Sequence, residues 1–336
     1  MSDVSRGSPI LIAARRVASD APVLTRDRDV DTTAILYPDE RARRFMEGRA
    51  AAPGAGTVVN ALATGRGAAF ALDLETTATV ELDPDAEGVT GAIAGAPDGD
   101  TTLIERCVER VVDRYGADEG GAVETESEVP TAAGLKSSSA AANATVVATL
   151  SALGLEVAND PDADVTKTEA CRVGVRAARD AGVTVTGAFD DASASMLGGV
   201  TVTDNREDEL LARDDPFAEH ALVWTPPERA YSADADTAAC ERVAPMAELA
   251  TELALDGEYA RAMTVNGLAF SAALGFPTDP AVEAMADCAG VSLSGTGPSV
   301  VAVGDRGALT AVRERWEDRD GETRLTRTRE TGTRVL

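Results

Sequence analysis

Lysine is almost absent from this chain: of its 31 basic residues only Lys136 and Lys167 are lysines. Lys136 stands in the run Pro130-Thr131-Ala132-Ala133-Gly134-Leu135-Lys136-Ser137-Ser138-Ser139-Ala140. A glycine turn that feeds the start of a helix binds phosphate without metal-chelating side chains, because unpaired backbone N–H groups and the positive end of the helix dipole point at the anion. Pro130, Gly134, Leu135, Lys136, Ser137, Ser138 and Ser139 are therefore the expected phosphate-binding residues, with Lys136 adding a cation beside the phosphates. The pattern Gly-x-x-x-x-Gly-Lys-Ser/Thr is not met, since Leu135 rather than glycine precedes Lys136, which argues against a P-loop NTPase. A second glycine turn, Ser294-Gly295-Thr296-Gly297-Pro298-Ser299, feeds an apolar run where backbone could approach a ligand closely.

The elements around these turns follow from periodicity. Apolar positions Ile104, Cys107, Val108, Val111 and Val112 predict a helix over 104–115, capped by Gly116. Residues 138–153 predict an alanine-rich helix with Val146, Val147, Leu150 and Leu153 on one side and Gly154 as its stop. Further helices are expected over 165–181, 237–255, 259–274 and 308–316. Strands are expected at 67–74, 76–82, 122–127, 183–186, 197–202, 220–224, 300–303 and 324–329, with a Gly/Ala-rich loop from Gly48. The polar stretch 204–215 suggests a change of domain. No repeat of 20–50 residues is present, which removes solenoids and propellers.

The chain is long enough, at 336 residues and 44% hydrophobic, to bury a core of its own and too apolar to be disordered. Its 31 basic and 57 acidic residues leave a net charge of −26, which repels nucleic acid and anionic membrane and points to a small partner. An acidic, lysine-poor composition resembles that of cytoplasmic proteins from extreme halophiles. No run approaches the 18 apolar residues of a membrane span and no secretory signal is readable, so a cytoplasmic location is expected. Cys107, Cys171, Cys240 and Cys288 form no Cys-x-x-Cys pair and read as reduced, structural residues. His220 is the only histidine, which excludes a zinc site built on two.

The run Pro-x-x-x-Gly-Leu-x-Ser-Ser resembles the second motif of the GHMP kinases, the family of galactokinase, homoserine kinase and mevalonate kinase. Two more stretches agree with that family in order and spacing. Ala52-Pro53-Gly54-Ala55-Gly56-Thr57-Val58-Val59-Asn60, followed by Gly65-Arg66-Gly67, resembles the first motif, and Ser294-Gly295-Thr296-Gly297-Pro298-Ser299-Val300 the third. Gly134-Leu135-Lys136-Ser137-Ser138-Ser139, the early Asn60-Ala61-Leu62-Ala63-Thr64-Gly65 and the segment Gly187-Ala188-Phe189-Asp190-Asp191-Ala192 resemble the archaeal shikimate kinases of that family. The resemblance implies an α+β, two-domain GHMP kinase fold. The N-terminal domain (46–205) would hold the phosphate loop and the C-terminal domain (206–336) would be ferredoxin-like. Residues 1–45 would be an extension, disordered or the product of an upstream start.

The same resemblance implies ATP-dependent phosphorylation of the 3-hydroxyl of shikimate, with ATP and Mg²⁺ as cofactors and no nucleic-acid or membrane partner. A homodimer is left open. Asp190 stands where the family's catalytic aspartate stands; Lys136 is expected beside the β/γ-phosphates and Ser138 at the metal. Thr57, Asn60, Asp191, Gly295, Thr296 and Gly297 are expected on the substrate side, with Arg49, Arg66 or Arg229 as the fork for the substrate carboxylate. Ala55 replaces a lysine that many relatives carry, and neither Asp180 nor Glu169 matches the family's metal-binding glutamate securely. These departures keep two other readings open, a homoserine- or mevalonate-type kinase and a non-catalytic metabolite sensor.

Overall fold

The computed structural model describes residues 46–184, 186–230 and 235–336; the expectation for residues 1–45 lies outside them. The chain begins with β1 (Met46–Val59) and β2 (Arg66–Asp83), an antiparallel pair, followed by β3 (Val89–Ile93), α1 (Thr102–Tyr115) and β4 (Gly120–Ser127). Then come α2 (Ser137–Ala152), the short parallel pair β5 (Val157–Ala158) and β6 (Val165–Thr166), α3 (Lys167–Asp180), α4 (Phe189–Leu197), β7 (Val200–Asp204) and β8 (Glu209–Asp214). The remainder is β9 (His220–Thr225), α5 (Thr237–Glu241), α6 (Ala244–Leu255), α7 (Tyr259–Leu274), α8 (Asp279–Ala284), β10 (Gly290–Leu293), β11 (Val300–Gly304), α9 (Arg306–Trp316), β12 (Glu322–Arg327) and β13 (Arg334–Val335).

One sheet runs β13-β1-β2-β4-β3, with β7 and then β8 attached to the other half of β2. The 18 residues of β2 allow this division of partners: Thr76–Asp83 pair with β4 and Arg66–Phe70 with β7. The sequence suggests two strands split near Glu75, but the strand continues because the ladder with β1 runs through it, Glu75 opposite Pro53; the Glu75 carboxylate pairs with Arg329 and Arg334. The Gly/Ala-rich stretch expected as a loop is β1. Its small residues let α2 lie against it, and any side chain at Gly48 would overlap the Ala148 carbonyl. Helix α2 is correspondingly buried on every side, from Ala140 through Thr145 and Val147 to Leu150, rather than along one stripe.

A second sheet, β10-β11-β9-β12, is antiparallel throughout. Alternate residues of β9 serve two cores, as period-2 geometry requires. Leu222 and Trp224 pack with Leu309, Val312 and Trp316. Ala221 and Val223 share a core with Phe70, Leu72, Ala254 and Met263, which joins the helices α6 and α7 to the first sheet. The polar stretch 204–215 is the β7–β8 hairpin, exposed on β8. Where a strand was expected at 183–186, the described residues turn instead, because the Thr184 and Thr186 hydroxyls accept the N–H groups of Gly187 and Ala188. Among the described residues no helix is long and apolar enough to cross a membrane, and all four cysteines are free, three of them buried.

Candidate active site

The expected phosphate loop leads into α2, whose N-cap is Lys136 at φ 65°, ψ 34° with no side-chain cap. The left-handed N-cap turns the lysine side chain away from the helix and leaves the first turn without a capping oxygen of its own. In that turn Ser138 is exposed and Ser139 buried. Lys136 is itself only 7% exposed; its Nζ lies 2.8 Å from Asp191 Oδ1, across from α4. The loop and the aspartate pair therefore meet, although they are separate in sequence.

Helix α4 starts one residue after Ala188, which also adopts a left-handed conformation, φ 50°. The turn places Asp190 in the first helical turn facing inward, 4% exposed. Its Oδ1 accepts a hydrogen bond from Asn205 Nδ2 at 2.7 Å, and its backbone N–H donates to Asn205 Oδ1 at 3.0 Å. Oδ2 faces Gly67, where any side chain would overlap the carboxylate. Burial, and next the Asp191 carboxylate, push the Asp190 acid up to about 7, against the opposing pull of Lys136 and of the hydrogen bond from Asn205. A carboxyl group poised near neutrality beside a buried cation suits proton removal from a hydroxyl.

The third glycine turn closes over the phosphate loop. Ser294 Oγ donates to the Gly134 carbonyl at 2.8 Å, and a Cβ on Gly134, φ 80°, would overlap the Ser294 carbonyl. A Cβ on Gly295 would stand 2.8 Å from Lys136 Nζ, so this turn passes directly by the lysine. Gly297 packs against the Phe276 ring, and Thr296 is 9% exposed.

The first motif holds this turn in place. Thr57 Oγ1 accepts the Gly295 N–H at 2.7 Å and Asn60 Nδ2 donates to the Gly295 carbonyl at 2.8 Å. The Asn60 Oδ1 accepts from Leu62 N–H, and Asn266 ties the Asn60 backbone to Ser292. Thr57 and Asn60, expected to face the substrate, thus spend these hydrogen bonds on Gly295. Ala55 contributes its N–H to the carbonyl of buried Leu135 at 3.2 Å.

Of the expected residues, Gly134, Lys136, Asp191, Asp190 and Gly295 converge on one locus, with Thr57 and Asn60 behind Gly295. Of the arginines, Arg66 is next to Gly67 and ion-paired to Asp204 at 3.6 Å. Arg229 precedes Ala230, whose N–H binds the Ala132 carbonyl of the phosphate loop. Arg49 sits at the opposite end of β1 from Thr57. Asp180 pairs with Arg110, and Glu169 closes the capping box of α3 with Thr166. Asn205 and Gly67 were not legible as site residues. Asn205 lies in a polar stretch with the look of a linker, and only the pairing of β2 with β7 brings it and Gly67 to Asp190.

Comparison with known proteins shows the family and the fold. Residues 102–199 match the family described as GHMP kinases N terminal domain. A shikimate kinase of Halobacterium salinarum (strain ATCC 29341 / DSM 671 / R1) is 65% identical over 290 residues, covering 86% of this chain and all of that protein. One from Methanosarcina mazei is 48% identical over 285 residues, 84% of this chain and 94% of its own. Among solved structures, a homoserine kinase from Cytophaga hutchinsonii superposes with a TM-score of 0.68 at 17% identity, over 86% of this chain and 97% of the other, a likeness of fold.

Proposed function

The chain belongs to the GHMP kinases, in the group of the archaeal shikimate kinases, and on that premise we propose that it transfers the γ-phosphoryl group of ATP to the 3-hydroxyl of shikimate. The substrate rests on one observation, the 65% identity along the entire length of a shikimate kinase. The chemistry rests on the meeting of Asp190, Asp191 and Lys136 at the start of α2.

Phosphoryl transfer asks the protein for positioning, charge neutralisation and a carboxylate that orients or deprotonates the attacking hydroxyl. In this reading the open first turn of α2 receives the phosphates, and Lys136, held by Asp191 in the free protein, supplies a cation to them. Asp190 takes the hydroxyl proton. Its raised pKa makes it a better acceptor of that proton than an exposed aspartate would be, at the cost of being half protonated near pH 7. Mg²⁺ belongs to the same proposal. The exposed Ser138 hydroxyl is a hard oxygen donor of the kind this ion takes, and the ion, when bound, neutralises phosphate charge. Thr57, Asn60, Gly295, Thr296 and Gly297 act by holding the third-motif turn against the phosphate loop, and one of the arginines Arg49, Arg66 and Arg229 meets the substrate carboxylate; the Ala230 contact with the phosphate loop supports Arg229. The division into residues 46–205 and a ferredoxin-like 206–336 is also part of this reading, supported by the second sheet, which lies wholly within 220–327.

The test is ADP release in high salt with shikimate, homoserine and mevalonate offered in parallel. Turnover with shikimate at least about a hundredfold above the other two is expected, the discrimination a pocket built for specific hydroxyls can reach. Absence of turnover with shikimate, in protein that melts cooperatively, sinks the assignment.

A further inference from the structure

The surroundings of Asp190 contain one side chain that bonds it twice and whose remaining hydrogen bonds fix its own orientation. Asn205 is 2% exposed and follows directly on β7. Its Nδ2 donates to Asp190 Oδ1 at 2.7 Å and to Thr186 Oγ1 at 3.3 Å. Its Oδ1 accepts the Asp190 N–H at 3.0 Å and the Thr203 hydroxyl at 2.8 Å. Two donors and two acceptors are thereby used, and they admit only one orientation of the amide: turned over, it would point N–H groups at the Asp190 N–H and a carbonyl at the carboxylate. The Asn205 carbonyl is held in turn by Arg179 at 3.3 Å, whose guanidinium also grips Asp208.

We infer that Asn205 is the positioning residue of the base: it clamps Asp190 through Oδ1 and the backbone, and thereby leaves Oδ2, which lies against Gly67 without an amide donor from Asn205, to take the hydroxyl proton. This deepens the reading of Asp190 as base and rests on it. The mode of action is electrostatic as well as geometric. An amide N–H aimed at a carboxylate favours the ionised form, the one able to accept a proton. The charged groups facing the pair are Asp191 on α4 and Lys136 at the start of α2, with the Arg179–Asp208 pair behind Asn205. Removing the amide N–H leaves the Asp191 carboxylate less opposed.

The experiment is the pH dependence of kcat, with KM for ATP and a melting curve, for Asn205→Asp, Asn205→Ala and Thr203→Val. Asn205→Asp keeps the shape but has no N–H to give. It should lower kcat about ten- to a hundredfold, the weight of one hydrogen bond to a charged group, and move the acid limb of the profile to higher pH. KM for ATP should stay within about twofold, since no phosphate contact is touched. Asn205→Ala should move the limb the same way by less, and Thr203→Val, which frees the amide to turn and gives up a long hydrogen bond to the Gly67 carbonyl, by less again. Should the Asn205 variants fail to fold, the Thr203→Val profile decides alone. Wild-type limbs and kcat in folded variants overturn the inference, as does a uniform loss of kcat with the limb unmoved. Asp190→Asn is run beside them. If it retains turnover, the base reading itself has failed; if it is inactive while the Asn205 and Thr203 variants behave as wild type, only the role given to Asn205 has failed.

Discussion

Lys136 and Asp191 are the pair on which charge balance at this site turns, because both are largely removed from water and, among the described residues, each forms its ion pair with the other. Replacing Lys136 with methionine strands Asp191 and should cost about 3 kcal/mol of stability, the usual result of unpairing a buried charge. Adding Asp191→Asn should restore the melting temperature but not turnover, since the cation for the phosphates is still missing; recovery of activity in the double variant would show that Lys136 has no role beyond the pair. Asp190 makes the opposite kind of prediction. Its folded-state pKa, about 7, lies above the ordinary carboxylate value of 3.8. The folded protein therefore holds a proton that the unfolded chain has already released, and stability attributable to this group falls as pH rises from about 4 to 7. Asp190→Asn should then melt higher than wild type above pH 7, with the advantage disappearing below about pH 4. An equal melting temperature at pH 8 would place the carboxyl in a more polar setting than its burial implies.

At the scale of elements, the phosphate loop is stacked backbone on backbone between β1 and the third-motif turn, Ser294–Ser299. Gly134 is where the stack is tightest, since its φ of 80° is unfavourable for any side chain and the Ser294 carbonyl occupies the position of a Cβ. Gly134→Ala should lose at least about 2 kcal/mol from backbone strain and overlap together, and should raise KM for ATP as the phosphate loop is pushed off the third turn. A variant with unchanged melting and kinetics would mean that the two turns are not in contact. The order and type of most elements were legible, and α7 and the start of the alanine-rich α2 fall close to the positions that capping and periodicity indicate. Strands β1 and β8 were not, nor was helix α4. Glycine and alanine are poor strand formers, and the polar run after β7 reads as a linker although residues 205–208 form only the turn into β8. Both segments are strands because of what they pair with: β1 with residues 68–82 of β2, and β8 with β7.

Across the described residues, the C-terminal segment straps β1, β2, α3 and α4 together. Thr333 is fully buried against the end of α4, donating to Ser195, and its carbonyl accepts Lys167 Nζ at 2.7 Å. Arg329 and Arg334 close on Glu75, and β13 pairs with β1. The second lysine of the chain is thus a strap anchor rather than a phosphate ligand. The Arg334 hydrogen bond, then those and the charge of Arg329, hold the Glu75 carboxyl below its usual 4.5 despite partial burial. A depressed folded pKa contributes stability that is present above the unfolded value and lost as pH falls through the folded one. Glu75→Gln should accordingly melt lower than wild type at pH 7, and the gap should narrow on acidification from about pH 4.5 downward. A gap that persists at pH 2 would assign the loss to packing instead.

What the sequence by itself determined is what is contiguous: the phosphate loop with its lysine, the Asp190-Asp191 step, the third-motif turn, and the family to which they point; that Asp190 opens a helix came only from the structure. The contiguous pieces are legible because a turn, a cap and a helix start are local events, decided by residues a few positions apart. What only the tertiary structure decided is who holds them. Asn205 behind Asp190, Gly67 beside it, Thr57 and Asn60 on Gly295, and Lys167 under Thr333 are partnerships across long stretches of chain, made by strand pairing and helix packing. An asparagine in a polar stretch carries no mark of such a role, since its side chain acquires one only when burial removes water as the competing partner.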